Sequence, residues 1–537
     1  MHERIFLVVG LLLVVCLLVM VAEKIRVAFP IFLVLAGLGI SLIPGFSTIT
    51  LDPDIIFLIF LPPILYEAAW YTSWNEFWKW KRPIGLLAFG LVFLTSLIVA
   101  YASSALIPGF TLALGFVLGG IISPPDAIAA TTVLKGMEVP KRTLTILEGE
   151  SLVNDASSLI VFRFALLAVV SGSFHLHEAV GEFFIVAGMG IVVGLIGAHI
   201  MYAIHRFLPT TPEIDATLTI VTPYLLYLGA EHFHFSGVMA VVSAGLFMSF
   251  RSQDIFQTGR TRVNMVGFWN TLIFIMNALV FILIGLELPV IVGGLGQTSL
   301  LQGIKYGLII SAIAIVVRLV WIYPVAHIPR FLNKKEAGTV ASPGWKNPLI
   351  IGWAGMRGVV SLATALSIPL FIQPGIPFPM RNLILLITFV VIFVTLIFQG
   401  LTLPFLIKMI GLKEMDAIKP SYQQQAEIMI RLNEIALKLI EEKYRNQEQQ
   451  NVLIEALILN LEKENEMHSG NINSYEVCSN RRQDVKELQK FVLEIHSLQR
   501  KQLFRMKKNK EFSDEEIRKA EMQLDFEELK ILGGKHL

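Results

Sequence analysis

Over the first 410 residues, long apolar runs alternate with short clusters of charged and polar positions. A mostly apolar run of about 17 residues or more is long enough to cross a hydrocarbon core as a helix. Thirteen such runs are predicted, at about 5–22, 27–44, 54–70, 83–107, 110–134, 148–171, 183–204, 215–230, 236–250, 264–289, 301–325, 348–371 and 382–407. The first is expected to be a retained helix rather than a signal peptide, since no small-residue cleavage site precedes Glu23. Beyond residue 410 the pattern changes to Glu, Lys, Gln, Leu and Ile in helical periodicity over 422–465 and 480–532. A break is expected within 471–480, and Ser513-Asp514-Glu515-Glu516 reads as a capping box. Two domains follow: a membrane-spanning domain over 1–410 and a helical cytoplasmic tail over 411–537.

Two of the runs are interrupted. The fifth contains Ser123-Pro124-Pro125-Asp126, where two prolines remove backbone donors and break the helical ladder. The twelfth contains Gly352, Gly355 and Gly358 around Arg357, a stretch too rich in glycine to hold a regular helix. Interrupted spans at matching places in two halves point to a transporter of inverted repeats with its site at the midplane. Spans one to six and eight to thirteen form those halves, with the seventh as connector. The expected fold is an all-α polytopic membrane protein of about 13 transmembrane helices in two inverted repeats with two broken helices, plus the tail.

Composition agrees with this reading. The 537 residues are 54% hydrophobic and 16% charged, against about 25% charged in soluble proteins. The tail alone holds 21 of the 44 Lys and Arg and 23 of the 42 Asp and Glu. Alternate loops separate the basic residues by side: 16 fall on one side, from Lys24 and Arg26 through to Lys334, Lys335 and Lys346, against Arg4 and Arg381 on the other. By the positive-inside rule the N-terminus is outside and the tail is cytoplasmic. Cys16 and Cys478 lie in different domains, and neither a disulfide nor a metal framework is expected. The tail carries no nucleotide loop or phosphate cradle, and no nucleic-acid partner or cofactor is expected.

Candidate chemistry concentrates in residues 148–163, where Glu148, Glu150, Asn154, Asp155 and Arg163 interrupt an otherwise apolar helix. Ionisable groups at that depth face a bundle interior or a watery cavity rather than lipid. Helical spacing places Ser151, Asp155 and Ser158 on one face, with Glu150 and Asn154 beside it. Glu67, after Pro62-Pro63, is either an interfacial carboxylate or a group facing the same site. His199, His205, His232 and His234 read as solvated or capping side chains, and Glu287 with Arg318 as structural partners. A cation channel would need a filter motif that is absent. An intramembrane protease would have to use Asp126 and Asp155 as its acidic pair.

At Ser123-Pro124-Pro125-Asp126-Ala127, Gly149-Glu150-Ser151-Leu152-Val153-Asn154-Asp155-Ala156 and Gly355-Met356-Arg357-Gly358, the chain resembles the NhaP-like sodium/proton antiporters of the monovalent cation:proton antiporter family. The resemblance covers roughly residues 5–410. It implies exchange of monovalent cations for protons across the plasma membrane, by a homodimer in the bilayer. It further implies that Asp155 takes the cation or the proton, with Asn154 as its helix partner. Ser151 and Asp126 belong to the ion shell, Asp155 and Ser151 holding Na⁺, with Glu67 nearby and Glu150 and Arg357 as a buried ion pair. Pro125 stands where the family often has threonine, which removes one hydroxyl from that shell.

Overall fold

The computed structural model describes the chain apart from residues 1, 26, 44–52, 135–136, 138, 173–175, 257–258, 296–298, 333–343, 374, 413–420, 445–451, 474, 510–513 and 533–537. Loop positions Arg26, Lys135, Lys334 and Lys335, and the Ser513 cap, lie outside the described residues. The chain divides into two compact units, Met1–Asp416 and Ala417–Leu537.

The first unit opens with α1 (His2–Ile25), α2 (Phe29–Ser41) and α3 (Pro53–Tyr71), the last carrying Pro62 and Pro63. After α4 (Trp74–Lys79), α5 (Lys81–Gly85) passes through a π-helical turn, Leu86–Leu91, into α6 (Val92–Leu106). The widened turn frees carbonyls that other helices take up: Ser157 Oγ donates to Ala88 O at 2.5 Å and Trp321 Nε1 to Leu86 O at 3.2 Å. The first interrupted path consists of α7 (Leu112–Ile122), capped by Thr111 Oγ1 on Leu114 N–H at 3.3 Å, and α8 (Ala127–Leu134). Then α9 (Lys141–Ser171) runs unbroken to Gly172, whose φ of +71° ends it.

Next come α10 (Leu176–Phe207), α11 (Pro212–His232) and α12 (Gly237–Phe250), with Thr211 and Ser236 capping the latter two. A single turn, α13 (Ser252–Ile255), precedes α14 (Gly259–Leu286), α15 (Leu288–Gly293) and α16 (Leu300–Leu332). The second interrupted path is α17 (Lys346–Trp353) and α18 (Val359–Leu366). A small antiparallel ribbon, β1 (Phe371–Gln373) with β2 (Ile376–Pro377), leads to α19 (Arg381–Val394), a second π-helical turn at Thr395–Gln399, and α20 (Gly400–Ile410).

Among the described residues, seven helical paths are long and apolar enough to cross a membrane, and Phe29–Ser41 and Gly237–Phe250 are shorter apolar helices. The unit is an all-α polytopic membrane protein with its two interrupted paths where the proline and glycine clusters predict them. Its interior forms two apolar cores, and α9 contributes to both. Ile146, Leu147, Phe162 and Ala165 belong to one, together with α2, α7, α16 and α19. Leu152, Ala156, Leu159 and Ile160 belong to the other, with α3, α10, α11 and α12. The helix that carries Asp155 is therefore the seam between them.

In the second unit the two long helices expected of the tail are each divided, giving α21 (Ser421–Tyr444), α22 (Val452–Asn473), α23 (Tyr475–Lys508) and α24 (Asp514–Leu532). Asn433 Nδ2 donates to Glu464 Oε2 at 3.4 Å between α21 and α22. Arg500 donates to Asp525 at 2.6 Å and to Glu528, joining α23 to α24. Both acids raise the pKa of the Arg500 guanidinium, which stays charged.

Close packing of α2 on α14 depends on two glycines. A Cβ on Gly37 would collide with Ile282 O, and one on Gly285 with Val34 O. Gly285→Val should cost about 1–3 kcal/mol by overpacking. A lowered melting temperature of the detergent-purified protein is the expected result, and an unchanged one would mean that the helices part without cost.

Candidate ion-binding site

The two interrupted paths cross at their breaks. Asp126 N–H donates to Met356 O at 2.6 Å, tying one break to the other. In apolar surroundings each backbone group freed by a break needs a partner, and the neighbouring side chains supply them. Asn154 Nδ2 donates to Pro125 O at 3.0 Å, and Ala127 N–H donates to Ser151 Oγ at 3.2 Å. Asp126 Oδ1 accepts Ile128 N–H at 2.8 Å and Ala129 N–H at 3.4 Å, capping α8. Its other oxygen lies against Gly358, where a Cβ would overlap it.

The two arginines serve the opposite helix ends. Arg357 Nε donates to Ile122 O at 3.2 Å at the end of α7, its Nη1 to Gly355 O at 2.6 Å, and its backbone N–H to Thr395 Oγ1 at 3.0 Å. Arg318 donates from Nε and Nη2 to Ile351 O in the last turn of α17, at 3.3 and 3.1 Å. Cations thus sit at helix C-termini and an anion at helix N-termini, the favourable sense for the helix dipole.

Here the structure corrects the expected ion pair. Glu150 is bound by Arg318, not Arg357, in a two-pronged contact of 2.5 Å (Nη1 to Oε1) and 2.8 Å (Nη2 to Oε2), with both side chains 1% exposed. The planar guanidinium fork matches the carboxylate and leaves Nε for the α17 carbonyl. Gly355 makes room for it, since a Cβ there would strike the Arg318 side chain. Arg357 is engaged by backbone carbonyls instead. The expected Glu287–Arg318 partnership fails for the same reason, since the Arg318 guanidinium is taken up by Glu150 and Ile351 O. His205, expected to be solvated or capping, is fully buried and meets Asp215 at 2.7 Å.

A cavity of about 490 Å³ opens beside the crossing. Asp155, Asp126, Ser151, Glu67 and Glu148 line it, with Asn277 from α14 and Ser361 from α18. Asp155 is 6% exposed, and among the described residues no donor lies within hydrogen-bond distance of its carboxylate and no basic side chain pairs with it. Asn154 is buried and turned to the break rather than the cavity, and Ser158 Oγ donates to Asp155 O at 2.9 Å. Glu67 is half-buried on the cavity wall. Sequence reasoning missed Asn277 and Ser361, because an isolated Asn or Ser in an apolar helix carries no spacing signal.

A buried carboxylate facing a cavity where two broken helices cross defines the class of secondary ion transporters. The family model described as sodium/hydrogen exchanger, transmembrane, matches residues 10–409, and the chain belongs to that family. It is 33% identical over 413 residues to the sodium, potassium, lithium and rubidium/H(+) antiporter of Bacillus subtilis (strain 168), covering 75% of this chain and 61% of that one. The chain thus spans about three-fifths of that relative's length. It is 28% identical over 563 residues to the uncharacterized Na(+)/H(+) exchanger YjcE of Escherichia coli (strain K12), covering 99% of each. The sodium proton antiporter MjNhaP1 from Methanocaldococcus jannaschii shares its fold, with a TM-score of 0.60, 21% identity, and coverage of 76% of this chain and 99% of that one.

Removing Arg318 strands Glu150 in the interior, a change that typically costs about 3–5 kcal/mol. Arg318→Ala should lower the yield and melting temperature of purified protein, and Glu150→Gln in that background should recover part of the loss. The same glutamine change in an Arg357→Ala background should recover little. Equal recovery in both backgrounds would show that Glu150 is shared.

Proposed function

We propose that this protein is a secondary active antiporter that exchanges monovalent cations, Na⁺ and Li⁺ foremost and K⁺ in addition, for protons across the plasma membrane. Its role is pH and sodium homeostasis. The carrying observation is the balance of buried charge at the crossing. Glu150 and Asp126 are set against Arg318 and Arg357, and Asp155 is the buried carboxylate left facing the cavity without a basic partner, with the less buried Glu67 and Glu148 also on its lining. That site calls for a positive guest. Hard monovalent cations favour oxygen ligands, and a proton competes for the same carboxylate. Asp155 is the exchanging group, Ser151 joins it in holding Na⁺, and Asp126, Asn154 and Glu67 shape the surroundings. The names of the Bacillus and Escherichia relatives support exchange of alkali cations for protons, and the Bacillus name supports including K⁺.

In this reading residues 1–410 make thirteen crossings as two inverted repeats, with α7–α8 and α17–α18 in corresponding places, and 411–537 form a cytoplasmic helical tail. The basic loops place the N-terminus outside, and a second copy of the chain completes a homodimer. The cavity reaches Thr72 and exposed Glu148 at the end of the bundle that the basic loops assign to the cytoplasm. This conformation is therefore inward-facing. A protease reading is disfavoured because the Asp126 carboxylate caps α8 and is not free to act with Asp155.

Asp155→Asn should abolish cation-induced dequenching of a pH dye in vesicles while leaving the folded yield intact. Substantial retained exchange would remove Asp155 from its role. Because Asn154 does not titrate, one cation replaces one proton and each cycle moves no net charge. The exchange rate in proteoliposomes should then be the same with and without a valinomycin-imposed potassium diffusion potential, using Na⁺ or Li⁺ as substrate. A strong dependence on potential would mean that a second proton moves, with Glu67 as its carrier.

A further inference from the structure

The helical hydroxyls of this chain mostly return their proton to a carbonyl one turn back. Ser103, Thr131, Ser157, Ser158, Thr364 and Thr395 all do so. Ser361 does not. It is 2% exposed, its Oγ has no partner, and it lines the ion cavity. The carbonyl three residues back, Gly358 O, receives Leu362 N–H, and the residue four back belongs to the irregular break. Asn277 is in the same position on the facing helix: 5% exposed, its amide oxygen unpartnered, lining the cavity. Among the described residues, the buried unpartnered side-chain oxygens of cavity-lining residues are those of Asp126, Asn277 and Ser361.

A buried polar group without a partner costs free energy, so two lining one cavity imply an occupant that bonds them. At the first break the oxygens are already shared: Pro125 has no side-chain oxygen and its carbonyl accepts from Asn154, Ser151 Oγ accepts a backbone N–H and keeps one lone pair for a cation, and one Asp126 oxygen caps α8. We propose that Ser361 and Asn277 supply the missing neutral oxygens to the transported cation at Asp155, and that they set which alkali cation the site prefers. The inference rests on the antiporter reading of that site. A small cation gains most from short, fixed oxygen contacts, so these two residues favour Li⁺ and Na⁺ over K⁺.

The test is proteoliposome exchange at fixed pH with LiCl, NaCl or KCl, comparing Ser361→Ala, Ser361→Thr, Asn277→Ala and Asp155→Asn with the unaltered chain. Ser361→Ala and Asn277→Ala should each raise the apparent KM for Na⁺ and Li⁺ roughly tenfold, the loss expected for one contact to a charge. The effect on K⁺ should be smaller, so the Na⁺/K⁺ ratio of kcat/KM falls. Ser361→Thr, which keeps the hydroxyl, should return that ratio towards its original value. Ser361→Cys and Asn277→Leu keep the volume and serve in place of an alanine variant that does not fold. If Asp155→Asn is inactive while these variants keep the original cation ratios, or lose rate equally for every cation, the proposal is overturned and the Asp155 site stands. If Asp155→Asn still exchanges, both fall.

Discussion

The structure depends on how the exposed helix ends are satisfied where the two interrupted paths cross. Breaking a helix inside an apolar interior exposes carbonyls at one end and N–H groups at the other, with no water to receive them. Arg357 and Arg318 take the carbonyl ends of α7 and α17, while Asp126 and Ser151 take the N–H end of α8. The crossing is then held together by charge set against dipole and by the Asp126–Met356 backbone bond. Once those demands are met, Asp155 is the carboxylate of the crossing left without a basic partner, and an unmatched buried anion is what a cation or a proton can enter.

The position of α9 joins that chemistry to the core, since its residues pack into two separate apolar clusters and the helix carrying Asp155 lies on the boundary between them. The cavity lies on the same boundary, with α3 and α14 on one wall and the two breaks on the other. At the far end of α9, Arg163 pairs with Glu231 of α11, and Glu231 Oε1 also accepts Gly237 N–H at 3.2 Å. An exposed pair of this kind contributes little to stability.

Tight backbone approach recurs wherever helices must stay in register. Gly37 and Gly285 bring α2 and α14 together, and Gly115 and Gly119 let α7 lie against α6 at Ala100 and Ser96. With lipid as apolar as the side chains, such contacts rest on close packing rather than on exclusion of water. Gly355 and Gly358 serve a different end, clearing space for the Arg318 side chain and the Asp126 carboxylate.

Much of this was legible in the order of residues alone. Long apolar runs predict helices, Pro124-Pro125 and the glycines around Arg357 predict the two breaks, and a carboxylate at position 155 inside an apolar helix predicts a site. These are local statements, decided by backbone donors, side-chain volume and the cost of burying charge within one segment. Partner choice is not local. Glu150 could meet either of two buried arginines, and only the packing of α16 against α17, with Gly355 yielding the room, gives it to Arg318 rather than Arg357. The burial of His205 on Asp215 and the unpartnered oxygens of Asn277 and Ser361 are likewise products of helices far apart in the chain. Sequence determined that the unit is built of apolar helices and where two of their paths break. Tertiary structure decided which charges cancel, because cancellation depends on distances of a few ångströms between segments that share no spacing.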